Sequence, residues 1–396
     1  MFGELTAAPP DGIFGLKKAY NIDSNPAKIN LTVGVYKDDE GKTPIFRSVK
    51  LAEARLFEEE KSKAYLGIPG SSEYAAAVQA LVFGADHEVV TGSRAVTVQT
   101  PGGTGALRVG GELVKRLRRD ARIWMSDPTW PNHPNVFAAA GLDLRTYPYY
   151  DASTNGLALE RMISALRQIP EGDVVLLHGC CHNPTGVDPT PEQWARIADV
   201  IQERKLVSFV DFAYQGMGDG LRQDATGVLT LCRSGSEVLI ASSFSKNFGL
   251  YNERVGALTV VTPSEQAAAA TLSHTEKVIR ANYSNPPAHG AGIVATVMND
   301  PTLRTQWEAE VHTMCERINR MRRLFVETLA AKGVAHDFTF IERQRGMFSY
   351  SGLTKEQAIA LREKHSVYIL DSGRINVAGM TEDNMDAICQ AIADVL

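Results

Sequence analysis

The sequence has no apolar run long enough to cross a bilayer, which argues against a membrane-spanning helix. It has no excess of basic residues either, because 41 lysines and arginines stand against 46 aspartates and glutamates. The formal net charge of −5 and the isoelectric point of about 6.0 argue against a nucleic-acid or membrane-surface partner. Residues 1–6 lack the basic and apolar regions of a signal peptide and the arginine-rich pattern of a transit peptide. We therefore expect a cytoplasmic protein with neither nucleic acid nor membrane as a partner.

Cysteine is scarce. The chain has five, at positions 180, 181, 232, 315 and 389, and only the first two are adjacent. An odd, scattered set of this kind is typical neither of a disulfide framework nor of a zinc site. We expect free thiols in a reducing compartment and no bound metal.

The 396 residues, 44% of them hydrophobic and 22% charged, describe an ordinary globular chain with room for one large and one smaller domain. From about residue 90, apolar runs alternate with helix-like segments. The run at 174–178 is continuously apolar up to its last residue, and the run at 207–211 is so except for one serine, as strands covered on both faces are. This alternation predicts an α/β fold with a mainly parallel sheet, whose ligands bind beyond the carboxyl ends of the strands.

Residues able to bind a ligand follow several of these predicted strands. They are Gly102, Gly103 and Thr104 after 95–99, Trp130 after 122–126, Asn183 after 174–178, Asp211 at the end of 207–211, and Ser243 and Lys246 after 238–241. Taken singly, each has a plainer interpretation: the glycines as a tight turn, Trp130 as core packing and Asp211 as a helix cap or turn residue. Their shared position beyond strand ends predicts one site.

Lys246 stands in a run of hydroxyl, amide and glycine residues, with no second cation before Arg254. A lysine acts as a covalent catalyst when its amine is partly desolvated or close to positive charge, because its pKa then falls. The neighbouring hydroxyls and Arg254 suit an anion such as a cofactor phosphate. The plainer alternative is a buried lysine stem with a solvated head.

The last quarter of the chain has a different pattern. Asp300 and Pro301 predict a helix start, and apolar residues then recur every three or four positions until Gly333 ends the run. Such a helix, about 48 Å long, would link two domains. We predict a large domain over 41–304 and a small domain over 305–396, joined by residues 1–40. Within 1–40 we predict an arm without regular structure to about residue 30 and a short strand at 31–36.

Together, five motifs resemble the aspartate and aromatic amino acid aminotransferases, which are pyridoxal-phosphate enzymes of fold type I. The motifs are Ser243–Gly256, His182–Gly186, Asp211–Gly216, Asn282–Pro287 and Ser372–Arg374, and the first two are highly specific to that family. The likeness extends over essentially the whole chain, with no catalytic position replaced. It implies a mainly parallel seven-stranded sheet flanked by helices, plus a smaller α+β domain.

The resemblance also implies roles for the residues that would hold pyridoxal phosphate. Lys246 resembles the Schiff-base lysine that also moves the proton, and Asp211 the carboxylate that holds the ring nitrogen N–H. Tyr214 and Asn183 would hydrogen-bond the ring hydroxyl oxygen, and Trp130 would stack on the ring. The phosphate would be bound by Gly102, Gly103, Thr104, Ser243 and Arg254, together with Tyr65.

Other residues resemble those that bind the substrate. Arg374 would clamp the α-carboxylate, with Gly34, Trp130 and Asn183 beside it. Tyr65 and Arg280 are similar to residues that reach in from the second subunit of a homodimer, and Arg280 would bind the distal carboxylate. Asp127–Pro128 and Asn183–Pro184 resemble the family's cis peptides.

We predict transamination between L-aspartate and 2-oxoglutarate, with side activity on aromatic amino acids. Five positions resemble the aspartate branch (Val35, Lys37, Thr43, Thr104 and Asn285), whereas Ala64 departs from the usual residues of both branches. An aromatic-preferring or broad aminotransferase stays open, as does a decarboxylase or lyase that uses the same cofactor. A non-catalytic regulator would need a lost lysine or an added DNA-binding module. A nicotinamide-dependent dehydrogenase is disfavoured, because the glycine spacing at 102–105 is wrong.

Overall fold

The structure is a computed structural model that describes residues 2–7, 12–233 and 235–396. The α-helices of the described residues are α1 (Gly12–Ile22), α2 (Arg47–Glu59), α3 (Ser72–Phe83), α4 (Glu88–Thr91), α5 (Gly102–Leu117), α6 (His133–Ala139), α7 (Leu159–Leu166), α8 (Pro191–Glu203), α9 (Thr226–Leu231), α10 (Glu265–Asn282), α11 (His289–Asn299), α12 (Pro301–Ala331), α13 (Phe340–Arg343), α14 (Lys355–His365) and α15 (Glu382–Val395). The strands are β1 (Ile29–Asn30), β2 (Ala95–Pro101), β3 (Arg122–Asp127), β4 (Asp143–Pro148), β5 (Tyr150–Asp151), β6 (Gly156–Leu157), β7 (Val174–His178), β8 (Val207–Phe212), β9 (Val238–Ser243), β10 (Val255–Val261), β11 (Phe348–Tyr350), β12 (Val367–Tyr368) and β13 (Arg374–Asn376).

A seven-stranded sheet with the order β2-β10-β9-β8-β7-β3-β4 forms the centre of the fold. Strand β10 is antiparallel to both of its neighbours, and all other neighbouring pairs are parallel. The predicted mainly parallel seven-stranded sheet is therefore confirmed. The carboxyl ends of β7, β8 and β9 lie side by side, since His178 pairs with Asp211 and Phe212 with Ser242.

Helices cover both faces of this sheet, which explains why its inner strands are continuously apolar. Leu176 and Phe209 belong to the core on the face that carries α5. Their neighbours Leu177 and Val210 belong to the core on the opposite face, together with Ile197 of α8. Successive strand residues point to opposite faces, so both sets must be apolar.

The predicted long helix is confirmed as α12. The Asp300 carboxylate caps it by accepting hydrogen bonds from the backbone N–H groups of Thr302 and Leu303, at 2.8 and 3.0 Å. Further along, the indole N–H of Trp307 donates to the carbonyl oxygen of Asn247 at 2.8 Å. Helix α12 therefore contacts the loop that carries Lys246.

Two expectations for the first 40 residues are wrong. The segment before residue 30 contains α1, and residues 31–36 form no strand. Beyond the backbone hydrogen bonds of Leu31, the backbone of 31–36 is held by side chains. The Asn376 amide donates to the carbonyl of Val33 at 2.7 Å, and Tyr36 N–H donates to the Tyr251 hydroxyl at 3.0 Å. The short strand β1 precedes this segment and pairs in parallel with β12. No helix of the described residues is both long and apolar enough to span a membrane.

Candidate active site

A cavity of about 270 Å³ opens at the carboxyl ends of the central strands. Most of the predicted site residues line it: Gly34, Gly103, Thr104, Trp130, Asn183, Asp211, Tyr214, Ser243, Lys246, Arg254 and Arg374. The structure thus brings together residues that lie up to 340 positions apart in the sequence. Gly102 stands directly beside the cavity, at the first position of α5. Tyr65 and Arg280 lie elsewhere.

Lys246 projects into the cavity from the turn between β9 and β10. Its ammonium nitrogen lies 4.7 Å from the centre of the Tyr214 ring. Burial lowers the pKa of Lys246 to about 8, with Asp211 opposing that shift and Arg254 adding to it. A substantial fraction of this lysine is therefore neutral, and able to accept a proton or act as a nucleophile, near physiological pH.

Asp211, near the end of β8, is the carboxylate of the site. Its Oδ2 lies 2.9 Å from Nε2 of His133, a fully buried residue of α6. Burial alone would raise the pKa of Asp211, but the hydrogen bond from His133, aided by the nearby Lys246, outweighs burial and holds the pKa below its ordinary value. The site therefore contains an ionised carboxylate that favours a cationic N–H group.

One end of the cavity is built to bind an anion. The 16-residue helix α5 begins there, and its first N–H groups have no partner within the helix. Gly102 has a φ of 75°, and a Cβ at this position would lie 2.5 Å from a nitrogen of Arg254. Only glycine therefore allows the helix to start so close to the guanidinium. Ser243, Ser245 and Thr104 add hydroxyl groups around this end.

Arg374 forms the opposite end of the cavity. It is 2% exposed, and burial lowers its pKa to about 10. Its guanidinium donates to the carbonyl of Thr32 at 2.7 Å and to Oδ1 of Asn183 at 3.3 Å, while Nε has no partner among the described residues. The Phe348 ring lies against it, 4.1 Å from Cζ. A buried arginine with a free donor in a cavity suits a carboxylate.

Tyr65 and Arg280 line a separate surface cavity of about 990 Å³, together with Ala64 and Asn285. Tyr65 is 92% exposed. Arg280 is also exposed, bonds to the Ser284 hydroxyl, and forms no ion pair with any described residue. Within one chain, neither residue reaches the cavity of Lys246.

The sequence profile of the family described as aminotransferase class I and II matches residues 26–392. The chain belongs to this family.

Relatives that match over the full length include both aspartate and aromatic-amino-acid aminotransferases. The chain is 52% identical over 396 residues to the aspartate aminotransferase of Escherichia coli strain K12, covering 100% of both chains. It is 48% identical over 394 residues to the aromatic-amino-acid aminotransferase of Pseudomonas aeruginosa, covering 100% of this chain and 98% of that one. A crystal structure of the Burkholderia pseudomallei aromatic-amino-acid aminotransferase, covalently bound to pyridoxal phosphate, has a TM-score of 0.98 at 46% identity, covering 100% of this chain and 99% of that chain.

Sequence analysis of this aminotransferase did not single out a buried chain of hydrogen bonds behind Asp211. The Asn183 backbone N–H lies 3.4 Å from Nδ1 of His178, and Nε2 of His178 lies 3.3 Å from the Thr129 hydroxyl. That hydroxyl is 2.7 Å from Nδ1 of His133. Because a backbone N–H can only donate, Nδ1 of His178 accepts, and Nε2 of the neutral His178 ring therefore carries the proton and donates to the Thr129 hydroxyl. That hydroxyl in turn donates to Nδ1 of His133. His133 thus donates from Nε2 to Asp211.

The side chains in this series of hydrogen bonds are one threonine and two of the nine histidines in the sequence. Burial, together with the nearby His133, lowers the pKa of His178 to about 3, so that ring is neutral, as the assignment requires. The signal available in the sequence was His178 as the polar last residue of an otherwise apolar strand. His133 gave no such signal, because it lies in a helix.

The two adjacent cysteines lie close to a buried carboxylate. Sulfur atoms of Cys180 and Cys181 and an oxygen of Asp224 all lie within 4.8 Å of one another. The Asp224 carboxylate already accepts backbone N–H groups of Gly216, Gly218 and Asp219, at 2.8 to 2.9 Å. Burial raises the pKa of the Cys180 thiol to about 12, so it is protonated.

The two peptide bonds that were expected to be cis, Asp127–Pro128 and Asn183–Pro184, are both cis in the structure.

Proposed function

We propose that this aminotransferase exchanges the amino group between L-aspartate and 2-oxoglutarate, with side activity on aromatic amino acids. The observation that carries the proposal is the convergence of Lys246, Asp211 and Arg374 on one buried cavity with an anion-binding end. An amino acid needs a cation for its α-carboxylate and a base for its Cα proton. Arg374 supplies the first of these groups and Lys246 the second.

Pyridoxal phosphate fits the residues present. The phosphate would be held by the N–H groups at the start of α5, Ser243 and Arg254, and the ring nitrogen by ionised Asp211. Trp130, Asn183 and Tyr214 would surround the ring. When bound, the cofactor supplies an electron sink for the charge that develops at Cα.

The chain's own residues then bind and orient the substrate and transfer the proton. Arg374 would bind both α-carboxylate oxygens, because a planar guanidinium matches a carboxylate in two-point contact. Asn183 keeps that guanidinium in place at 3.3 Å. Lys246, with its pKa near 8, would accept the Cα proton and later return it.

We further propose a homodimer in which Tyr65 and Arg280 complete the partner's cavity. Both residues lie on one exposed surface, and Arg280 has no ion-pair partner among the described residues. Phe57, on the nearby helix α2, is 88% exposed, as an apolar interface residue would be in a separated subunit. An unpaired guanidinium in the partner's pocket would favour substrates with a second carboxylate.

Two further assignments are proposals of the same kind. Residues 41–304 would form the large domain, and 305–396 with 1–40 the small one, which the pairing of Ile29 with Val367 supports. The enzyme would work in the cytoplasm, a location that agrees with its five free, buried cysteines.

Borohydride reduction of the purified, cofactor-loaded protein tests the cofactor assignment. The label should be found on Lys246 by peptide mapping, and a label on another lysine would refute the assignment.

The substrate preference is tested by comparing kcat/KM for aspartate and for phenylalanine in wild type and in Arg280→Ala. We expect the variant to lose mainly the aspartate activity, by about 100-fold, the cost of an unpaired charge. Equal losses for both substrates would contradict the role of Arg280.

The second candidate is an aromatic-preferring or broad aminotransferase. It is favoured by the 48% identity to an aromatic-amino-acid aminotransferase, close to the 52% for an aspartate aminotransferase. Ala64 beside Tyr65 also leaves room in the surface cavity. A wild-type kcat/KM that is higher for phenylalanine than for aspartate would establish this candidate instead.

A further inference from the structure

Arg322 of α12 is a fully buried arginine without a carboxylate partner. Its side chain is 1% exposed, and it forms no ion pair with any described residue. The guanidinium donates to the Ser349 hydroxyl and to the carbonyl oxygens of Ile341, Gly346 and Phe348, the last at 3.0 Å. Burying a cation is costly unless acceptors surround it. The two terminal nitrogens have four such acceptors, whereas the buried Nε has no partner among the described residues. The four hydrogen bonds tie the guanidinium to the backbone that supplies them.

The acceptors all belong to one segment, residues 341–349, which leads from α13 into β11. Gly346 there has a φ of 80°, and the N–H of the preceding residue, Arg345, donates to the carbonyl of Gly186 at 2.7 Å. Arg322 binds carbonyl groups on both sides of Met347 and the hydroxyl just after Phe348. It thereby sets both the path of this backbone and the direction in which the Phe348 side chain leaves it.

Phe348 is the only residue of this segment that lines the Lys246 cavity. Its ring lies between two parts of the substrate-binding end. On one side Cζ of Arg374 is 4.1 Å from the ring centre, and on the other a Cβ added to Gly34 would be 2.6 Å from the ring edge. Because the ring contacts the guanidinium and has little room on the side of Gly34, a shift of the ring would change the contact that orients Arg374.

We propose that Arg322 is a positioning residue for substrate binding, because its hydrogen bonds to the 341–349 segment place the Phe348 ring against the guanidinium of Arg374. Arg322 itself does not line the cavity and touches no reacting atom. The inference rests on the proposed role of Arg374 as the α-carboxylate clamp. In addition to that role, a buried cation of α12 would control the orientation of the Arg374 guanidinium through the Phe348 ring.

The test measures binding of succinate, a dicarboxylate with no amino group to react, to the cofactor-loaded enzyme by titration calorimetry. Arg322→Lys keeps the charge but loses the planar fork that reaches several acceptors. We expect Kd for succinate to rise about 3- to 30-fold, the range of a cation–π contact. Arg323→Lys is the matched control, since Arg323 is the exposed next residue of α12 and should change Kd by no more than about twofold. The absorbance of the bound cofactor should be unchanged in both variants.

A double-mutant cycle separates positioning from a general loss of stability. If Arg322 acts through the Phe348 ring, the effects of Arg322→Lys and Phe348→Leu on the succinate Kd should be non-additive. The reason is that Phe348→Leu removes the ring that Arg322→Lys would displace. In turnover, Arg322→Lys should raise KM for aspartate more than it lowers kcat. If Arg322→Lys does not fold, Ser349→Ala, which removes one acceptor of Arg322, is used in the cycle in place of Arg322→Lys.

Unchanged succinate binding in Arg322→Lys, or in Ser349→Ala where that variant replaces it, would overturn the inference, and so would additivity with Phe348→Leu. Arg374→Lys distinguishes this failure from a failure of the proposed function. It should weaken succinate binding whatever Arg322 does. If Arg374→Lys bound succinate as wild type does, the proposed function would be at fault, whereas a normal Kd in the Arg322 variant alone would remove only the positioning role.

Discussion

Nε2 of His133 lies 2.9 Å from Oδ2 of Asp211, and both side chains are almost completely buried. An ionised carboxylate can only accept, so this nitrogen carries the proton. The Thr129 hydroxyl, 2.7 Å from the other ring nitrogen, fixes that arrangement. Asp211 is thus kept ionised at the place where the proposed ring nitrogen would lie.

Removing the negative charge of Asp211 should therefore remove most of the activity. We expect Asp211→Asn to bind pyridoxal phosphate but to lower kcat about 100-fold or more, a loss typical of a removed electrostatic stabiliser. Asp211→Glu should retain part of kcat. Thr129→Val, which frees His133 to change tautomer, should have a smaller effect, of about 10-fold or less. Near-normal turnover in Asp211→Asn would mean that Asp211 is only a structural residue.

The buried ammonium of Lys246 should make the cofactor-free protein less stable at neutral pH than at alkaline pH. Its pKa falls from 10.5 to about 8, so the folded state loses this proton before the unfolded state does. The destabilisation is complete below pH 8 and disappears as the pH rises from 8 to 10.5. It amounts to about 3 kcal/mol, from 1.4 kcal/mol per pKa unit.

Lys246→Met mimics the neutral amine and should remove this dependence. In urea unfolding of the cofactor-free protein, we expect the variant to be more stable than wild type at pH 7, with the difference shrinking towards pH 10. Lys61→Met, a change of an exposed lysine, is the control and should show no such trend. A difference that stays constant with pH would contradict the lowered pKa.

Arg254 should contribute to cofactor binding only through the phosphate group. Its guanidinium stands against Gly102 at the start of α5. Arg254→Ala should raise the Kd of pyridoxal phosphate about 10- to 100-fold, the worth of one or two charged hydrogen bonds. The Kd of unphosphorylated pyridoxal should be almost the same in wild type and variant. A parallel loss for both molecules would assign Arg254 to the ring instead.

If Tyr65 and Arg280 come from the partner subunit, two inactive variants should complement each other. A heterodimer of Lys246→Ala and Arg280→Ala subunits contains one site with both residues intact. After subunit exchange of equal amounts, random pairing should restore about a quarter of wild-type aspartate activity. Activity no higher than the mean of the separate variants would show that Arg280 serves its own chain.

How much of the site could be predicted differed from residue to residue. Asp211, Asn183 and Lys246 were recognisable because each follows an apolar run, and parallel strands end at one edge of a sheet. His133 and Phe348 were not recognisable. The residues next to His133 and Phe348 in the sequence are the same whether the side chain supports the core or a site, so the local pattern does not distinguish the two roles.

The same limit explains the wrong expectations about residues 1–40. Alternation at 31–36 predicts a strand, but the backbone there is held by the Asn376 amide and the Tyr251 hydroxyl, more than 200 positions away. Local patterns carry no record of such partners.

The sequence by itself determined the central sheet, helix α12 and the chemical types of the cavity residues, because these depend on hydrophobic periodicity and on side-chain chemistry. Only the tertiary structure decided the electrostatic state of the site. The low pKa values of Lys246 and Arg374 come mainly from burial, and that of Asp211 from His133 in spite of burial. The placement of Phe348 by Arg322 is likewise a property of packing. Burial and distance between remote segments arise only when the chain is folded, and they set the free energy of every charge in the cavity.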